Sequence, residues 1–135
     1  AMDVAVVGDT EPVPLANRPE YARLAEGALE QRVRAGVAMQ GATHERGAGI
    51  WMALREAAEG DAEVAQWCRD IEATRHGETA RSIALMVDRP LTDPELDLLW
   101  ALLSAEVYVK LVRERGWSHE QYLEHLVDAG VKLIR

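Results

Sequence analysis

The side chains that could do chemistry in this sequence are four histidines, one cysteine and scattered carboxylates. Their spacing points to binding rather than catalysis. His44, His76, His119 and His125 do not pair at the helical spacing that lets two imidazoles share a metal. No Glu-x-x-His occurs, so a ferritin-like di-metal site is not expected. Glu72 and His76 lie one turn apart, but two ligands do not make a site. Cys68, beside Trp67 on an apolar stripe, reads as a small core residue rather than a nucleophile. Gly41, Gly47 and Gly49 lack phosphate-loop spacing, and no Gly-x-Ser-x-Gly or dinucleotide fingerprint is present. The expectation is a protein that is not an enzyme, with no catalytic residue, no metal and no cofactor.

A different pattern does stand out: polar residues set on apolar helix faces. Gln40, His44 and Trp51 share one side of a helical segment. Arg75 and Thr79 interrupt the stripe of the next. Ser104 and Tyr108 follow Trp100 at one and two turns. A ligand pocket in a helical bundle needs this mixture of apolar wall and a few converging polar groups. These eight residues are the candidate ligand contacts, with Trp51 and Trp100 as walls. Arg75 suggests a ligand carrying a carboxylate or carbonyl. Each also has a purely structural reading: Arg75 pairing with Glu72 or Glu78, His44 exposed beside Glu45, Tyr108 in the core with its hydroxyl at the rim.

The elements that must hold these residues are helices. Residues 3–7 read as the end of a helix and 8–17 as a loop. Pro19 starts a short helix through Tyr21 and Leu24, ending near Gly27. From Ala28 to Glu59 the pattern is helical, with Gly36, Gly41, Gly47 and Gly49 inside it. Those glycines predict either a kink near Gly47–Gly49 or close helix packing. Gly60 stops this segment and Asp61 caps the next, which carries Val64, Trp67, Cys68, Ile71, Arg75, Thr79, Ser82 and Met86 to about Val87. Thr92 and Glu95 form a capping box, with Pro94 in the first turn, for a helix running to Arg115 and ended by Gly116. Ser118 and Gln121 form a second box, opening a last helix to about Ile134. About five helices with short loops make an all-α bundle, a single domain over residues 1–135.

The expected helix from Asp93 to Arg115 carries two apolar stripes. One runs through Leu96, Leu99, Trp100, Leu103, Val107 and Leu111. The other runs through Leu98, Ala101, Leu102, Ala105, Val109 and Val112. A surface helix needs only one. The second stripe, with Leu123, Leu126, Val127, Gly130, Val131 and Ile134 of the last helix, predicts a four-helix homodimer interface. Leu98, Leu102, Ala105 and Val109 are its members from the earlier helix. The competing reading is a helix buried centrally in its own monomer.

Charge and composition narrow the partners. Of the 135 residues 48% are hydrophobic, enough for one globular core. The net charge of −8, with basic residues scattered among acids, argues against this segment gripping DNA itself. No apolar run of about 18 residues is present, so no membrane partner is expected. Cys68 has no second cysteine to pair with, so a cytoplasmic setting is expected.

The run Leu98-Leu99-Trp100-Ala101-Leu102-Leu103-Ser104-Ala105-Glu106-Val107-Tyr108, then Leu111 to Ser118 and Gln121-Tyr122, resembles the dimerisation region of TetR-family transcriptional regulators. Gly8-Asp9, Glu11 to Leu15, Arg18-Pro19-Glu20, Leu54 to Ala58, Asp61 and Trp67 resemble the same family in the same order. The resemblance implies a C-terminal effector-binding and dimerisation domain. In the full-length protein a helix-turn-helix, absent from these residues, would contact operator DNA, commonly as a repressor. The implied partners are a second copy of the chain and a small-molecule effector. The alternative is a stand-alone helical protein–protein interaction module.

Overall fold

The structure, a computed structural model, describes residues 18–135. The helix end expected at residues 3–7 and the loop at 8–17 lie outside the described residues. Those described form an all-α bundle without strands. A short helix α1 (Pro19–Ala22) runs into a 3₁₀ turn (Arg23–Ala25). The long helices α2 (Leu29–Ala58) and α3 (Ala62–Met86) follow as an antiparallel hairpin. Next come α4 (Asp93–Leu102), α5 (Ala105–Tyr108), a π-helical segment (Val109–Glu114) and α6 (His119–Ile134). Among the described residues no helix is long and apolar enough to cross a membrane.

The starts follow local chemistry. Asp61 Oδ1 accepts from the Glu63 and Val64 amides at 2.9 and 3.2 Å, capping α3. Thr92 and Glu95 exchange the two bonds of a capping box at α4, and Ser118 and Gln121 do so at α6. Gly116 takes φ +76°, the left-handed stop expected of it.

α2 is one helix through all four of its glycines rather than two, and Gly36 and Gly41 are places of close packing, against Met86 and against His119 and Leu123. A Cβ on Gly36 would lie 2.6 Å from Met86 Cε, so α2 and α3 meet closely at this pair. Gly130 of α6 likewise lets Val33 of α2 approach to 3.2 Å of where its Cβ would be. The core lies between α2, α3 and α6, with Tyr122 and Leu24 fully enclosed.

Two expectations are corrected here. The helix expected from Asp93 to Arg115 is broken at Leu103–Ser104. Leu103 leaves helical geometry at ψ 12°, and Ser104, at ψ 159°, caps a new helix by accepting from Val107 N at 3.3 Å. Each stripe is therefore cut at the break, its two parts lying on helices that turn separately toward the core, which weakens the inference of a second chain. Trp67, placed on an apolar stripe by its spacing, is instead 63% exposed, while its neighbour Cys68 is buried.

Candidate functional site

The broken helix explains most of the polar residues on apolar faces. At Leu103 the α-helical ladder ends and its carbonyl needs a donor inside the protein. His44 of α2 supplies one, its Nε2 lying 2.7 Å from Leu103 O, and Arg75 of α3 approaches the same oxygen at 3.4 Å. Arg75 also holds Glu72 at 3.1 Å, so the charge that spacing offered to a ligand is already paired. Ser104 is the cap. Trp51 donates its indole N–H to Glu106 Oε1 at 2.8 Å, tying α2 to α5.

Below the break an aromatic cluster continues the same face. Tyr108 packs edge-on against Tyr122, with ring centres 4.8 Å apart, and 5.7 Å from the His44 ring. Its hydroxyl lies 3.4 Å from His119 Nδ1. Trp100 packs against His76, whose Nε2 meets Asp97 at 2.9 Å and joins α3 to α4. The Trp100 indole N–H and the Tyr122 hydroxyl are enclosed without a partner among the described residues.

His44 is buried, and burial pushes its pKa down from 6.5 to about 4; the nearby Arg75 charge acts in the same direction. The carbonyl it bonds requires Nε2–H as donor, so the ring is held neutral as that tautomer. Burial also drives the Tyr122 phenol well above its ordinary range. Both groups are locked into one protonation state at neutral pH and suit architecture better than proton transfer. Among the described residues no three metal-capable side chains cluster.

A cavity opens one turn further along α2 and α3, toward α1. It holds about 620 Å³ of empty space including the part open to solvent, with about 50 Å³ available to the centres of water-sized spheres. A single water needs about 10–15 Å³ on that measure, so the space corresponds to roughly three to five waters. Its walls are chiefly aliphatic, with Val33 and Val37 from α2, Ile83 and Met86 from α3, Leu99 from α4 and Leu126 from α6. No charged residue lines it, and its polar members are the Gln40, Thr79 and Ser82 side chains and the Tyr21 phenol.

Of the eight candidate contacts, the cavity therefore gathers Gln40 and Thr79. His44, Trp51, Arg75, Trp100, Ser104 and Tyr108 are not on its walls; the break and the aromatic cluster use them instead. Sequence reasoning missed Ser82 as a contact, although it sits three residues after Thr79 on the same stripe. It also missed Leu99, whose position facing α3 depends on where the helix breaks.

The residues expected at a dimer seam divide. Leu126, Val127, Gly130, Val131, Ile134 and Ala105 are buried within this chain, so their burial requires no second copy. Leu102, Val109 and Leu123 are half-buried, and Leu98 is 57% exposed. The close approach anticipated at Gly130 is made by Val33 of the same chain.

Comparison of the chain with protein-family models, with curated proteins and with solved structures finds no match.

Proposed function

We propose that the chain senses a small molecule in the cavity among α2, α3, α4 and α6, as the effector-binding and dimerisation domain of a TetR-like transcriptional regulator. The observation that carries the sensing role is that cavity: apolar-walled, with a few polar side chains, and set against a helix break. Leu103 links the two. Its side chain lines the cavity while its carbonyl takes His44 and Arg75. A ligand touching Leu102 and Leu103 presses on the point where α4 gives way to α5. It favours whichever arrangement of the break it fits better, and its leverage equals its differential affinity for the two arrangements. The resemblance in the Leu98–Tyr108 run supplies the regulatory role, in which a DNA-reading module outside these residues follows that change.

The test is a compound screen read by thermal shift and Trp fluorescence, repeated on Ser82→Phe. Ser82 has no hydrogen-bond partner among the described residues, so its replacement fills the cavity without breaking a contact. A ligand at a hundred times its Kd stabilises by about 2.7 kcal/mol, which for a domain of this size is a rise in Tm of roughly 10 °C. That rise is expected in the parent and not in Ser82→Phe. A ligand that binds both equally places the sensing site elsewhere.

Dimerisation is proposed through the apolar surface that α4 leaves outward, centred on Leu98. Leu98 is 57% exposed, so Leu98→Glu is expected to change monomer stability by less than about 0.5 kcal/mol. Sedimentation at micromolar concentration is expected to show a dimer for the parent and a monomer for Leu98→Glu. A parent chain that is already monomeric contradicts this part of the reading. Trp67, at 63% exposure, favours a second reading as a protein-interaction module; Trp67→Ala leaves ligand binding unchanged if sensing is the main role.

A further inference from the structure

The cavity's polar groups are placed asymmetrically, and that asymmetry specifies a ligand. With Gly36 against Met86, the antiparallel register of α2 and α3 sets Gln40 opposite Ser82 and Thr79. All three line the cavity. Thr79 is only 6% exposed. Among the described residues none of the three side chains has a hydrogen-bond partner. The Thr79 hydroxyl is not among the fully enclosed partnerless atoms, so it keeps surface open to water or a ligand. Here the structure leaves the role open at one end of an otherwise apolar slot. The opposite end, around Leu24, Met86 and Ile134, is aliphatic apart from the Tyr21 phenol, three residues before Leu24. From Val33 to Gln40 the slot extends about 10 Å along α2, at 1.5 Å per residue.

Resting on the sensing role proposed above, we infer that the ligand is an elongated aliphatic molecule with one uncharged hydrogen-bonding head, an alcohol, ketone, ester or amide. The head lies at Gln40, Thr79 and Ser82, and the tail points toward Leu24 and Ile134. A carboxylate is excluded by the wall. No Lys, Arg or His lines the cavity. The guanidiniums just behind the wall are already committed, Arg75 to Glu72 and the Leu103 carbonyl, and Arg32 to the Gly27 and Met86 carbonyls and Asp88. An ionised head placed there would lose its hydration without gaining a partner. An alkylammonium is excluded on the same ground. Of the carboxylate or carbonyl that the position of Arg75 in the sequence suggested, this keeps the carbonyl and drops the carboxylate.

The experiment compares four probes of nearly equal chain length at pH 7: 2-nonanone, methyl octanoate, octanoate and octylammonium. Calorimetric titration is expected to give binding of the ketone and the ester at least tenfold tighter than of either ion. Thr79→Val is expected to weaken the two neutral probes three- to tenfold, the worth of one neutral hydrogen bond. The same change should leave the Tm of the unliganded protein equal or higher, because it removes a hydroxyl that has no partner. A Thr79→Val that binds the neutral probes as tightly as the parent overturns the head assignment. Octanoate binding tighter than methyl octanoate, and losing that binding in Arg75→Gln, overturns the neutral class while leaving the sensing role intact. If none of the four binds but the screen yields a ligand that Ser82→Phe excludes, the class is again wrong and sensing stands. If the screen also yields nothing, both fall.

Discussion

Replacing Tyr122 with alanine is expected to remove about 3–5 kcal/mol of stability, while phenylalanine at the same position costs nothing or adds up to about 1 kcal/mol. The contrast follows from where the ring and the hydroxyl sit. The ring is fully enclosed at 0% exposure, faces Gly41 of α2 and meets Tyr108 edge-on at 4.8 Å. Alanine would leave a cavity at the crossing of α2, α6 and the broken helix, and cores relax only partly around such voids. The hydroxyl has no partner among the described residues, so it contributes desolvation cost and no bond. Phenylalanine keeps the ring and deletes that cost. Urea denaturation of the two variants measures both effects. A loss of more than about 1 kcal/mol in Tyr122→Phe would mean that the hydroxyl is bonded in solution, for example to a buried water.

Acid is expected to weaken the fold through His44 before it reaches the carboxylates. The folded chain holds this ring near pKa 4, against 6.5 in the unfolded chain. The unfolded state therefore takes up its proton first as pH falls. Stability from His44 is complete above pH 6.5, declines as pH drops from 6.5 toward 4, and is gone below 4. The distance between those two values is worth roughly 3 kcal/mol. Glu95, Glu124 and Asp128 also have lowered pKa values, set chiefly by Arg89, Arg34 and Lys132. Their contributions are lost only as pH falls below their ordinary values of 4.5 and 3.8. His44→Gln keeps a donor for the Leu103 carbonyl and removes the titration. Its stability is expected to be flatter between pH 6.5 and 5 than that of the parent. An equal slope in the two proteins would show that the acid sensitivity comes from elsewhere.

What the sequence made legible and what it hid divide by range. The caps at Asp61, Thr92 and Ser118 were readable because each is a contact among residues two or three apart. The left-handed stop at Gly116 was readable because few other residues accept that geometry. The break at Leu103–Ser104 was not. It contains neither proline nor glycine, and its unpaired carbonyl is satisfied by donors 59 and 28 residues distant. One local sign was present: Ser104 followed by Glu106 is the start of a helix as well as the middle of one. Reading it as the middle turned one helix into a two-striped one and gave the dimer more support than it had. The same break decided the site. His44, Arg75, Ser104 and Tyr108 were rightly singled out as polar groups in apolar surroundings. His44, Arg75 and Ser104 meet backbone groups of this chain, and Tyr108 meets the His119 ring nitrogen and the Tyr122 ring. Gln40 and Thr79 carried the same signal and kept it, because the structure gives them no partner.

The central claim is that the slot among α2, α3, α4 and α6 holds the effector, and one measurement addresses it most directly. With methyl-labelled isoleucine, leucine and valine, intermolecular nuclear Overhauser effects from bound 2-nonanone report which side chains touch it. The account predicts cross-peaks to Ile83, Leu126 and Val37 from the ligand carbons next to the head, and to Leu24, Val33 and Ile134 from the tail. It also predicts a shift of the Leu103 methyls as the break responds. Cross-peaks confined to exposed Leu85 and Leu98, with the Ile83 and Leu126 methyls unmoved, would contradict it.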